Sequence, residues 1–210
     1  YLHEMYRGRR NLLPFYIASG RVSCKNIVMA EIDSPRLQKT FALLNSRGEP
    51  AYRRRQIVAA IFRKHVASYR DITELPKELR NALCQALGER VLALTLHKSE
   101  TAAEAEKVLF ELADKERVEA VLLQSAKNDT NLCISTQVGC ACACEFCATG
   151  AVGFKRHLNP DEIADQVLFF LSRGEDIRGV SLMGMGEPLL NPHIFDALTL
   201  LTDKDFIDFS

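Results

Sequence analysis

The stretch Asn159-Pro-Asp-Glu-Ile-Ala-Asp-Gln-Val167 has a strand candidate on either side of it, Cys133 to Val138 before and Gly179 to Met183 after. Asn159 is a helix N-cap, Pro160 suits the first helical position, and Glu162 completes a capping box. Ile163, Val167 and Leu171 then recur on one face, and Gly174 is a natural stop. Two strands joined through a helix lie parallel with a right-handed crossover, so their carboxyl ends share one edge. A second helix, expected from Asn191-Pro192 through Leu201, continues the alternation. The fold class is therefore α/β, with chemistry expected on the loops after the strands, where α/β barrels place it.

Those two loops carry the most informative residues. After the first strand comes Cys140-x-x-x-Cys144-x-x-Cys147, with Phe146 before the last cysteine. Three thiolates are one too few for a closed iron-sulfur site and would leave one iron open to bind a small molecule. Zinc remains open as an alternative, with Cys142 or Cys133 as a fourth ligand. After the second strand comes Gly184-Met-Gly-Glu-Pro, in which the glycines allow close backbone approach and Glu187 offers a carboxylate to an ammonium group.

Five of the seven cysteines fall between 133 and 147, with gaps too short for a useful disulfide framework, so metal or redox chemistry is the expectation. Cys24 and Cys84 read as ordinary thiols. With 47% apolar and 26% charged residues over 210, the chain has an ordinary globular composition. Its apolar runs are too short to span a bilayer and no secretory leader is visible, so a cytoplasmic protein with no membrane partner is expected. The zero net charge hides an asymmetry: residues 1 to 80 hold 16 Lys and Arg against 7 Asp and Glu. Such an excess suits an RNA backbone, and equally a solvated helix face.

Residues 1–28 show no clear period and read as an extension ahead of a natural start near Met29. From 29 to 98 the expectation is a helical accessory domain that binds RNA. Ile57, Val58, Ile61 and Phe62 form one apolar face, and Pro76 starts a helix with Leu79, Leu83 and Leu87 that Gly88 ends. Residues 99–131 are expected to link this domain to the core. Thr101-x-x-Glu104 predicts a short helix, followed by two strands turning at Asp114-Lys115, the second holding Arg117 to Val121. The core would occupy 132–210.

The run Cys133-Ile-Ser-Thr-Gln-Val-Gly-Cys140, with Cys144-Glu-Phe-Cys147-Ala-Thr-Gly150, Gly153-Phe154, Asp161 to Val167 and Met183-Gly-Met-Gly-Glu-Pro-Leu189, resembles the RlmN/Cfr family of radical S-adenosylmethionine (SAM) 23S rRNA adenine methyltransferases. The resemblance runs from about Leu37 to the end of the chain. It implies an incomplete radical-SAM (β/α) barrel, preceded by a small helical domain. It implies that Cys140, Cys144 and Cys147 ligate a 4Fe-4S cluster, while Gly186 and Glu187 contact the amino end of SAM. Glu119, in Arg117-Val-Glu-Ala-Val121, matches the family's acid/base toward the target adenine; on its residues alone it reads rather as a solvent-facing strand carboxylate. Cys133 matches the thiol that resolves a covalent adduct by forming a disulfide with a C-terminal, methyl-carrying cysteine. The family continues beyond the position of Ser210 to that cysteine, so the chain reads as an N-terminal part, inactive alone. The implied partners are 23S rRNA, with tRNA in one branch, and an electron donor such as flavodoxin.

Lys107-Val-Leu-Phe-Glu111, Glu116-Arg-Val-Glu119, Phe195-Asp-Ala-Leu198 and Leu201-Thr-Asp203 look closer to the Cfr branch, which methylates carbon 8 and confers ribosomal antibiotic resistance. The RlmN branch, acting at carbon 2, is the alternative within the family. Outside it stand another radical-SAM enzyme, which would not need Cys133 or Glu119, and a non-catalytic metal-binding RNA module, which would have no use for the Gly-Met-Gly-Glu-Pro loop.

Overall fold

Ser34 and Pro35 open the first helix among the described residues, α1 (Pro35–Ser46), where the serine hydroxyl accepts the Leu37 N–H at 3.1 Å. The computed structural model describes residues 32–124 and 130–209; the expected extension at 1–28, the start near Met29 and Cys24 lie outside the described residues. Helix α2 (Tyr52–Phe62) turns Ile57, Val58, Ala60, Ile61 and Phe62 inward and leaves its arginines on the other side. Helix α3 (Lys77–Leu87) comes directly after Pro76, buries Leu79 and Leu83, and stops at Gly88, whose φ of +90° suits glycine. A buried aliphatic side chain of this kind stabilises by about 1.5–3 kcal/mol relative to exposure.

Among the described residues there are also three further α-helices and seven strands: β1 (Thr95–Ala102), β2 (Ala105–Glu111), β3 (Arg117–Gln124), β4 (Thr130–Cys133), β5 (Gln137–Gly139), β6 (Phe154–His157) and β7 (Gly179–Ser181). The main sheet has the order β1-β2-β3-β4-β7, and β5 and β6 form a separate pair. β1 to β4 run antiparallel, while β4 and β7 are parallel with Cys133 beside Ser181. The expected shared edge is thus formed.

The short helix expected at Thr101 does not form. Thr101 instead pairs with Glu106 and Ala102 with Ala105, so Ala103 and Glu104 turn one strand into the next. A capping box satisfies a few N–H groups, and here no apolar stripe of helical period comes after it; the hairpin pairs the whole segment. The strand expected over Cys133 to Val138 is split. β4 ends at Cys133, then the Thr136 and Gln137 N–H groups both turn to the Met185 carbonyl, at 2.8 and 3.2 Å.

Val108, Phe110, Val118, Ala120, Leu122 and Leu132 form the buried face of the sheet. Helix α5 (Pro160–Ser172), capped by Asn159 and Glu162 as expected, covers it with Ile163, Val167 and Phe170, and Phe169 meets Phe110 edge-on at 4.9 Å. Helix α6 (Ile194–Thr202) packs along α5. It begins later than Asn191-Pro192 because the Asn191 amide is used elsewhere, donating to the Thr136 and Leu158 carbonyls at 2.7 and 2.9 Å.

A buried polar cluster ties α1 to α5. The Ser34 hydroxyl and the Arg36 N–H donate to Asp161 at 2.6 and 2.7 Å, while the Arg36 guanidinium pairs with Asp165. The Ala93 N–H also donates to Asp165, at 2.6 Å.

Candidate active site

β5 and β6 bracket the cysteine loop and close its mouth with backbone alone. A Cβ on Gly139 would lie 1.7 Å from the Gly153 carbonyl oxygen, and the Cys140 N–H donates to that oxygen at 3.2 Å. Only glycine fits there, because a side chain would occupy the space of the opposing carbonyl. Inside the loop, the Cys147 N–H donates to the Cys144 carbonyl at 3.0 Å, and the short helix α4 (Ala148–Val152) begins at the next residue.

The four loop thiols are not equivalent. Cys140 and Cys147 are half-buried, Cys142 and Cys144 exposed. The N–H groups of Gly150 and Thr149 point at the Cys147 sulfur and hold its thiol below the ordinary value. Desolvation, then the neighbouring Cys140, Glu187 and Cys144, push the Cys142 thiol up. Cys142 is therefore the less ready of the two to become the thiolate that a metal requires. Among the described residues, the sulfurs of Cys140, Cys144 and Cys147 do not all lie within 4.8 Å of one another. One zinc at about 2.3 Å from each sulfur would need its thiolates about 3.8 Å apart. The donor set fits a cluster in which each thiolate takes its own iron.

The Gly184-Met-Gly-Glu-Pro loop lies against the segment that leads into the cysteines. The Gly184 N–H donates to the Ile134 carbonyl at 3.0 Å, and the Met185 N–H to the Ser135 hydroxyl at 2.8 Å. That hydroxyl donates onward to the Glu119 carbonyl at 2.6 Å. A Cβ on Gly184 would meet the Ile134 backbone at 2.7 Å, and one on Gly186, where φ is +101°, would meet the Gln137 Cβ at 2.5 Å. Glu187 caps the next turn, accepting the Leu189 N–H at 3.1 Å, and lies close enough to the cysteine loop to raise Cys142.

Glu119 and Cys133 share the other, half-exposed face of the main sheet. Val121 stands directly beside Cys133, and Glu119 is two residues before it, so period-two alternation puts all three on one side. Because β3 and β4 are antiparallel, Glu119 lies toward the same edge as the end of β4. Its side chain is 43% exposed and 3.3 Å from the Lys107 ammonium. The carboxylate is ion-paired and half-exposed rather than buried, the setting of a solvent-facing strand position.

Sequence reading missed the residues that join these parts. Ser135, Gln137, Gln166 and Asn191 are all buried. Gln166 holds Ser135 from both sides, accepting its N–H at 2.8 Å and donating to its carbonyl at 2.9 Å. No local signal marks such residues, since the partners through which they join these parts are 16 to 55 positions away.

Known proteins match this arrangement. The large-subunit rRNA methyltransferase Cfr of Staphylococcus aureus is 44% identical over 172 residues, which is 82% of this chain and 49% of the relative. The Cfr of Lachnoclostridium phytofermentans is 43% identical over 161 residues, covering 77% of this chain and 47% of the relative. In three dimensions, the crystal structure of a radical SAM methyltransferase from Sphaerobacter thermophilus superposes with a TM-score of 0.74. It is 32% identical, over 86% of this chain and 54% of that one. Over the part it spans, the chain is similar to Cfr rRNA methyltransferases and shares the fold of a radical SAM methyltransferase. It spans about half the length of the Cfr relatives it matches. No family model matches it. Among the described residues, no helix is long and apolar enough to cross a membrane.

Proposed function

We propose that the protein carrying this chain methylates carbon 8 of an adenosine in 23S rRNA, using SAM and a 4Fe-4S cluster. The observation that carries this reading is the joining of the cysteine loop to the Glu187 loop at one sheet edge, beside Glu119 and Cys133, in a chain 44% identical to Cfr. Cys140, Cys144 and Cys147 would hold the cluster, and Cys142 stays outside the ligand set. Held there, such a cluster would supply one-electron reduction of bound SAM. Glu187 accepts hydrogen bonds from the SAM ammonium group, and Gly186 lets the backbone come close to it. Glu119 moves a proton at the target adenine once substrate displaces Lys107 and excludes water. Cys133, on the same face, supplies the thiolate that resolves the covalent adduct: its sulfur bonds to the cysteine that carried the methyl, the carbon–sulfur bond to the substrate breaks, and the methyl carbon leaves with a proton.

The helical segment at 29–98 is the RNA-binding domain in this reading. Several of its cations are neutralised, Arg53 by Glu49, Lys64 by Glu74 and Arg70 by Glu89. Exposed Lys39, Arg47, Arg55 and Lys77 have no ion-pair partner among the described residues and are available to phosphates. The protein works in the cytoplasm, takes its electron from a flavodoxin-type donor, and protects ribosomes from several drugs of the peptidyl-transferase region.

The deciding experiment expresses the full-length protein in a bacterium lacking such an enzyme and analyses the rRNA by mass spectrometry. 8-Methyladenosine is expected. Only 2-methyladenosine would move the protein to the RlmN branch, and an iron-loaded protein that leaves rRNA unmodified would overturn the reading.

A further inference from the structure

Gln137 is fully buried, three residues before Cys140, and its two amide ends face opposite ways. The side-chain oxygen accepts the Glu187 N–H at 2.9 Å, and the side-chain nitrogen lies 3.1 Å from His157 Nδ1. A backbone N–H can only donate, so the oxygen must be the end at Glu187 and the NH2 the end at His157. His157 must then accept at Nδ1 and carry its ring proton on Nε2. Burial, then the nearby His193, holds the His157 imidazole below its ordinary value, which agrees with the neutral ring.

Both sides of Gln137 are fixed in place. Arg156, next to His157, grips Glu162 through two hydrogen bonds at 2.8 and 2.9 Å and Asp114 at 2.6 Å, so β6 cannot drift. Opposite, Gly186 comes so near that a single added carbon would meet Gln137 at 2.5 Å.

We propose that Gln137 is the positioning residue that sets the Glu187 carboxylate against the cluster before SAM arrives. This rests on the reading of Glu187 as the contact for the SAM ammonium group. A carboxylate anchored to the cysteine strand through one rigid amide stays where SAM needs it, whereas a loop released from that anchor must be ordered during binding. The requirement is for an amide: a carboxylate accepts from Glu187 but cannot donate to neutral His157, and an alkyl chain does neither.

The test reads SAM binding apart from turnover. Protein with its cluster reconstituted is reduced and titrated with SAM, tracking the change in the electron paramagnetic resonance signal, with iron content measured alongside. Q137M should keep its iron and need about ten-fold more SAM for the same change, as expected when a buried donor loses its acceptor. In a second pair of variants, H157N, whose side-chain oxygen can accept in place of Nδ1, should stay near the unaltered protein. H157F, which removes the acceptor and frees the Gln137 amide to rotate, should weaken SAM binding with iron unchanged. Should Q137M fail to take up iron, the His157 pair decides. An unaltered SAM response in Q137M or in H157F overturns the inference. Loss of response in the unaltered protein despite a full cluster would instead overturn the reading of Glu187.

Discussion

Gly186 and Gly174 both have positive φ, +101° and +84°, but only Gly186 has a neighbour in the way. G174A should therefore cost about 1 kcal/mol, the backbone penalty alone. G186A adds a collision with Gln137 and should cost more, about 1–3 kcal/mol, as chemical-denaturation midpoints would show. Equal losses would mean that the loop yields to the added methyl. The cysteines divide in the same manner. Replacing Cys140, Cys144 or Cys147 with alanine should each abolish the brown chromophore and iron uptake, while Cys142→Ala should retain about four irons per chain, measured by colorimetric iron assay. Zinc in place of iron would return the site to the structural alternative. Cysteine spacing and paired glycines were visible in the sequence because the residue type alone limits what each can do. Ser135 and Gln137 were invisible, because a buried hydroxyl or amide takes its meaning from partners that only folding brings near.

Helix α5 and strand β1 put one motif to opposite uses. Asn159 and Glu162 form the capping box that the sequence predicts, and Thr101 and Glu104 carry the same signature yet sit in a hairpin. The residues C-terminal to each box decide between them: a helical stripe ending in Phe170 in one case, and period-two alternation through Val108 and Phe110 in the other. The cluster beneath α5 makes a prediction about acidity. Arg36 is one guanidinium between two buried carboxylates, and although burial opposes its charge, Asp165 and Asp161 hold it above its ordinary value. A surplus negative charge remains, and burial, against the pull of Arg36, raises Asp165 to about 6. A carboxyl whose folded value is raised contributes stability below its unfolded value and loses it as pH rises through about 6. The melting temperature of Asp165→Asn should accordingly gain on that of the unaltered protein between pH 4.5 and 7.5. A constant difference would show that Asp165 does not titrate there. Arg36→Met leaves both carboxylates uncompensated and should cost about 3–5 kcal/mol.

Among the ties between the cysteine hairpin and the body of the molecule, Arg156 joins Asp114 of the β2–β3 turn to Glu162 of α5. Arg156→Met should speed amide hydrogen exchange across 137–157 while α1 to α3 exchange as before; uniform acceleration would point to global destabilisation instead. Its hydrogen bond also holds Asp114 below the ordinary carboxylate range, so that contribution is present at neutral pH and fades as acid protonates the group. The β-α-β core was legible because strand, cap and stop lie in sequence order, while the split of β4 from β5 depended on Met185, some fifty residues away. Cys133 sits where the sheet leaves little freedom of access. Val121 and Ser181 flank it across the strands on either side, and helix α5 covers the back of the sheet, so only one direction of approach is left. Whatever reacts with that sulfur must descend onto it from the open face. Alkylating reagents of graded bulk would then act as callipers, their relative rates measuring how much headroom the protein leaves above the sheet.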